Sequence, residues 1–223
     1  MQWMKVISYL RKISHTNASI GIGAMIVFIA MVLVAGIAAS VLIQTSTQLE
    51  AQAMNTGRQT VNEVSGGLAV IDVVGHVSTD IDGLGITIRS RAGSPDIDLN
   101  HSIIILTDSS KKVVLRYNYS NVAHYNDSVS TTDGSVFGFA YTNLTNEKYG
   151  IIVASDPDSS LSRFTPVINA GDKVILMIDT DACFSTIGER IDVFGWVYPE
   201  HGSAGVISFT SPKLFIDTIV DLE

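Results

Sequence analysis

Four pairs of aspartates stand two residues apart, Asp80/Asp82, Asp96/Asp98, Asp156/Asp158 and Asp179/Asp181. Paired carboxylates can ligate a hard cation such as Ca²⁺, and Asp179 and Asp181 are the metal candidates among them. A solvated turn or strand carboxylate is the more frequent role for any one pair. His76, His101, His124 and His201 are isolated, with no close-spaced ligand motif, and no serine or cysteine stands in a nucleophile setting. No catalytic residue is assigned and no cofactor is expected.

A different chemistry is written in the middle of the chain. Asn100, Asn118, Asn126 and Asn143 each open an Asn-x-Ser/Thr sequon without proline at the central position. Such a sequon accepts an N-linked glycan where its amide reaches the surface. Asn is also an ordinary turn residue; clustering of these four in one segment favours a glycan-bearing outer face. Cys183 is the only cysteine, so an intrachain disulfide is excluded and the fold must be held by its own core.

The elements that carry these residues are short. From residue 68 onward, β-branched and aromatic runs occupy 68–74, 84–90, 102–108, 112–118, 136–141, 149–155, 173–179, 191–198, 205–210 and 214–220. Gly, Asn, Asp and Ser separate them, with turns at Asp133-Gly134, Ala170-Gly171-Asp172 and Ser211-Pro212. Many short strands at this spacing predict an antiparallel β-sandwich of the immunoglobulin-like kind. At 223 residues the chain has room for one such head and an appendage.

The appendage is at the N-terminus. Residues 1–17 carry Lys5, Arg11 and Lys12 and no acid, and 13–49 then contain no Asp, Glu, Lys or Arg. A basic leader followed by an uncharged run is a targeting or membrane signal. The stretch 20–43 exceeds the roughly 20 apolar residues that cross a bilayer as a helix, and it is apolar on every face, so every face must meet lipid or protein. Beyond Ile43, Leu49, Ala53, Thr56, Thr60 and Val64 recur at helical spacing among polar residues, and Gly66-Gly67 offers a C-terminal stop. The fold class is thus α+β, a long hydrophobic helix followed by a sandwich head. The net charge of −8 excludes a nucleic-acid partner, which would need a basic surface.

Gly21-Ile22-Gly23 and the run 26–35, IVFIAMVLVA, resemble the start of the archaellins, the archaeal flagellins. AGDKVILMIDT at 170–180 and GERIDVFGWVYPEHGSAGVISFTSP at 188–212 are similar to the end of the archaellin head. The resemblance implies a type IV pilin-like filament subunit whose leader, 1–18, is removed by a prepilin-like peptidase. Residues 19–66 would then form the filament core and 67–223 the outer head. Cleavage at Ala18↓Ser19 places Gly21 third in the mature chain, the register of the family; Asn17↓Ala18 is the alternative. The chain departs from the family before the cut, with His15-Thr16-Asn17-Ala18 where a basic residue and a glycine are usual.

The resemblance implies a structural subunit of the archaellum, the archaeal motility filament: extracellular, and inserted transiently in the membrane. Its partners would be identical or sibling subunits, the leader peptidase, and a membrane assembly platform with its ATPase. Within the helix, Ile26, Val27, Phe28, Met31, Leu33, Val34 and Leu42 supply bulk. Ala30, Ala35, Gly36, Ala38 and Ala39 let helices approach closely, where dispersion contacts accumulate. Two other readings share the helix and the head: an archaeal adhesion pilin, and a single-pass membrane protein with an extracellular binding head.

Overall fold

The computed structural model describes residues 2–124, 137 and 144–222, of which 2–19 and 121–124 as backbone only. It divides into two compact units, Met1–Gly57 and Arg58–Glu223.

Helix α1 runs from Gln2 to Ser65 without interruption. No proline occurs before Pro95, and Ile, Ala and Val dominate the apolar stretch, so no residue there removes a donor from the hydrogen-bond ladder. In its polar half the hydroxyls fold back onto the helix: Thr47 Oγ1 donates to the Ile43 carbonyl at 2.6 Å and Thr56 Oγ1 to that of Gln52 at 3.0 Å. The last turn closes with Gly66 N–H donating to the Asn62 carbonyl at 2.9 Å. Gly67, at φ +136°, then turns the chain in a conformation that side chains resist.

Among the described residues, the head unit takes in the last turns of α1 and eleven strands: β1 (Leu68–Val77), β2 (Ile81–Ser90), β3 (Ile97–Asp98), β4 (Ile103–Thr107), β5 (Lys112–His124), β6 (Lys148–Ser155), β7 (Val167–Ile168), β8 (Lys173–Asp179), β9 (Asp192–Tyr198), β10 (Gly205–Thr210) and β11 (Ile219–Asp221). Nine of them form one sheet in the order β10-β9-β4-β5-β6-β8-β2-β1-β11, and β3 pairs with β7 in a second. A short helix, α2 (Thr180–Phe184), follows β8.

Strands β10 and β1 are not neighbours in that ladder, yet they meet. Leu68 N–H donates to the Ser203 carbonyl at 3.2 Å, and Gly205 packs so closely on Val70 that a Cβ there would lie 3.1 Å from its Cγ2. The sheet is therefore curled onto itself around one core that includes Leu68, Ile86, Leu106, Leu115, Tyr149, Leu176 and Val197.

The expected α+β plan holds as a long apolar helix and a β-sheet-rich head. Its details differ from the strand-by-strand expectation. Strands β5 and β6 pair in parallel, with Arg116 opposite Lys148, where the pattern suggested antiparallel neighbours throughout. A parallel pair needs a crossing connection rather than a hairpin, and the long segment between the two strands provides the length for one. The run 214–220 yields only two paired residues, Ile219 and Val220, because just Ile219–Asp221 lies against β1. The run 136–141 lies outside the described residues apart from Phe137, which is buried.

Candidate functional site

The most exposed apolar surface belongs to α1. From Ile20 to Val64 every described side chain is exposed, including Phe28 at 68%, Leu33 at 62% and Leu42 at 68%. The packing candidates Ile26, Val27, Ala30, Met31, Val34, Ala35, Gly36, Ala38 and Ala39 all lie on this open stretch. At Gly21, Gly23, Gly36 and Gly57 an added Cβ would meet nothing within 4 Å, so a neighbouring backbone has room to approach. This helix is long and apolar enough to cross a membrane. Ala18 and Ser19 lie within the helical backbone.

In the head, the aspartate pairs serve separate ends. Asp82 Oδ1 stands 2.6 Å from His76 Nδ1, and Asp80 Oδ2 accepts from Thr186 Oγ1 at 3.2 Å. Asp98 caps the 3-10 turn Leu99–His101 by accepting from Asn100 N–H at 2.8 Å. Asp179 caps α2, accepting from Ala182 N–H at 3.0 Å, and Asp181 lies in the first turn of that helix. The metal candidates Asp179 and Asp181 thus have a local structural task; burial raises the Asp179 carboxyl above its usual value.

Carboxylates converge elsewhere. Asp156, Asp158 and Asp172 each bring an oxygen within 4.8 Å of the other two. Asp172, from the turn before β8, is 1% exposed. Its Oδ2 accepts from Asn169 N–H at 2.9 Å and Ser160 Oγ at 3.3 Å, whereas Oδ1 has no partner among the described residues. Burial raises the Asp172 carboxyl, and the Asp156 and Asp158 charges push it the same way. Asp158 is held low by the Asn169 amide. These three oxygens could hold a hard cation. Asp172 belongs to no Asp-x-Asp pair; its only trace in the sequence is the Ala170-Gly171-Asp172 turn.

The sequons divide. Asn100 is exposed within the 3-10 turn, but Asn118 is 7% exposed, its Oδ1 accepting from Ser120 N–H at 3.2 Å. A buried amide offers no acceptor to a glycan. Asn126 and Asn143 lie outside the described residues. Cys183 is fully buried, and burial pushes its thiol up to about 11, so it is an inert core residue.

A family model described as archaeal-type flagellin matches residues 18–209. The chain is 43% identical to Flagellin B2 of Methanocaldococcus jannaschii over 216 residues, covering 96% of this chain and 97% of that protein. It is 34% identical to Flagellin B3 of Thermococcus kodakarensis, covering 93% and 98% respectively. Among solved structures, the crystal structure of the archaeal flagellin FlaB1 from M. jannaschii superposes with a TM-score of 0.61 at 32% identity, covering 70% of this chain and 96% of that one. The flagellum of Methanospirillum hungatei shares the fold at 13% identity, with a TM-score of 0.59 and coverage of 91% and 98%.

Proposed function

The chain belongs to the archaeal-type flagellins, the structural subunits of the archaeal flagellum, a cell-surface appendage, and from that premise we propose that it polymerises through α1 once residues 1–18 are removed. The observation that carries this reading is the helix surface. From 20 to 43 it is apolar on all sides and open along its length. At ~25 cal/mol per Å² of apolar area, leaving half of such a helix in water costs on the order of tens of kcal/mol, more than a domain's entire stability. Lipid can satisfy it before assembly and identical helices afterwards. One repeated head-to-tail contact that fails to close is enough to build a fibre.

The family match begins at residue 18, beside both candidate bonds, Ala18↓Ser19 and Asn17↓Ala18, which supports a leader that ends in this region. Residues 19–66 then form the core helix and 67–223 the outer head. The leader peptidase and a membrane platform with its ATPase act on the inserted precursor; identical or sibling subunits are its neighbours in the extracellular filament. No residue is assigned a catalytic role.

Shearing cells tests the reading. The mature chain is expected in high-mass, lipid-free fibres that dissociate only in detergent, acid or heat. Mature chain found solely in the membrane pellet, and soluble only as a detergent-bound particle, would instead make α1 a monomer's anchor.

A further inference from the structure

Part of the head's outer surface is apolar and open. Side chains alternate along β9, so Val193 and Val197 face the core while Phe194, Trp196 and Tyr198 face outward. The registers set Val206 of β10 and Ile105 of β4 on either side of Trp196, with Val114 of β5 beyond Ile105. Phe194, Trp196, Tyr198, Val114 and Val206 leave between 39% and 60% of their surface exposed. A contiguous patch of this kind marks an interaction site, and aromatic side chains at its centre are the usual anchors. Its rim is charged and mixed: Lys112 shares a row with Phe194, and Arg116 shares one with Tyr198 and stands next to Lys148, while the carboxylates are Asp192, exposed on the same face of β9, and Glu147 beside Lys148.

A complementary surface exists on the same chain. Beyond Ile43, α1 is no longer apolar all round: Leu49, Ala53 and Thr56 form one seam, and the exposed Met54 and Val61 lie on another face. Leu49 is 67% exposed, and Thr56 donates its hydroxyl to the Gln52 carbonyl within the helix, so the seam is less polar than its composition. Helical spacing places Glu50 and Glu63 along the flanks of this seam and Arg58 on the opposite side. The dimensions agree: residues 49–60 span about 16 Å at 1.5 Å per residue, and four strands at about 4.8 Å spacing cover a similar width.

We propose that the outer face of β4, β5, β9 and β10 is a subunit interface that seats on the 49–60 seam of α1 in a second copy of this chain. Trp196 is the central anchor, and Lys112, Arg116 and Lys148 face the helix's carboxylates. The proposal rests on the filament reading above; it adds which face of the head meets which stretch of a neighbouring helix.

The test uses the full-length chain in cells from which filaments are sheared. In a Trp196→Cys variant, maleimide labelling in intact filaments is expected to fall about tenfold or more relative to detergent-dissociated subunits, the protection that ~1.4 kcal/mol of preference for the covered state produces. A chain carrying Trp196→Cys together with Ala53→Cys should give a ladder of covalent multimers when filaments are treated with a bifunctional maleimide, and neither single variant should. Cys183 is buried and contributes no background. If Trp196→Cys prevents assembly, Val206→Cys on the neighbouring strand replaces it in both measurements.

Equal labelling of filaments and free subunits overturns the proposal while leaving the filament reading intact. Protection without a ladder also overturns it, because the face is then covered by something other than the helix seam. Absence of filaments from the unmodified chain would fail the filament reading itself, and the proposal with it.

Discussion

Gly67 and Ser203 are joined by a single parallel bridge that ties the turn between β9 and β10 to the point where α1 ends. Ser203 N–H donates to the Gly66 carbonyl at 3.0 Å and the Ser203 carbonyl accepts from Leu68 N–H at 3.2 Å. Gly67 lies between these bonds at φ +136°, with no room for a side chain against the Ser203 backbone.

Gly67→Ala should therefore destabilise the head by about 1–3 kcal/mol, from the backbone conformation alone. In detergent-solubilised full-length chain, that is a fall of several degrees in Tm. Gly57→Ala, in the open middle of the helix, is the contrast: it should leave Tm unchanged or raise it. Equal behaviour of the two variants would remove the special role given to the Gly67–Ser203 bridge.

Sequencing the mature N-terminus should begin at Ser19, or at Ala18 if the alternative bond is cut. Loss of Lys5, Arg11 and Lys12 changes the net charge from −8 to −8 − 3 = −11. A chain from sheared filaments that still starts at Met1 contradicts this.

Ala39→Asp should abolish filaments while leaving the head folded. An unpaired carboxylate in an apolar bundle is costly, and at a bilayer centre it costs about 2.5–3.5 kcal/mol on insertion scales. Normal filaments from this variant would show that the helices do not form a dry core.

The two described sequons should respond differently. Asn100→Gln should lower the subunit mass by one glycan in the native host with no change in Tm. Asn118→Gln should leave the mass unchanged and lower Tm, since its side chain is 7% exposed and bonds to Ser120 N–H. Intact-mass measurement on filaments decides both; a mass loss from Asn118→Gln would mean that the strand opens before glycan transfer.

Asp172 makes stability depend on pH in the unusual direction. Its folded-state value is raised above the ordinary one near 3.8, so the folded chain holds its proton longer than the unfolded chain. Stability should accordingly fall as pH rises from about 3.8 through the raised value, and the loss persists at neutral pH. With a chelator present, Asp172→Asn should flatten this slope and raise Tm at pH 7. A divalent cation among Asp156, Asp158 and Asp172 would offset the repulsion in the wild type, which is why the chelator matters. A wild-type head that gains stability over the same pH range would refute the assignment.

What was legible in the sequence follows the range of the interactions. The alternation of Asp192–Tyr198 and the β-branched run Lys173–Asp179 are local signals, and both are strands. The helix and its stop at Gly66-Gly67 were equally plain, because periodicity and glycine act within a few residues. The pairing of β3 with β7 involves only two residues on each side and leaves no periodic trace. The parallel register of Arg116 with Lys148 depends on a distant crossover. Likewise Asp172 meets Asp156 and Asp158 only because the chain folds back, so counting adjacent aspartates pointed to Asp179 and Asp181, whose positions at a helix start are explained by capping.

The curl that brings β10 against β1 bears on aggregation. Subunits in a polymer hold their heads at very high local concentration, where an open strand edge would template unintended backbone pairing between neighbours. Here one outer strand, β10, is met by β1 at the Gly205 end, and the other, β11, is only three residues long. Among the described residues the outer edges are thus short, six residues in β10 and three in β11, which limits the backbone a neighbouring head could pair with and favours contacts through side chains, whose shapes and charges can specify register.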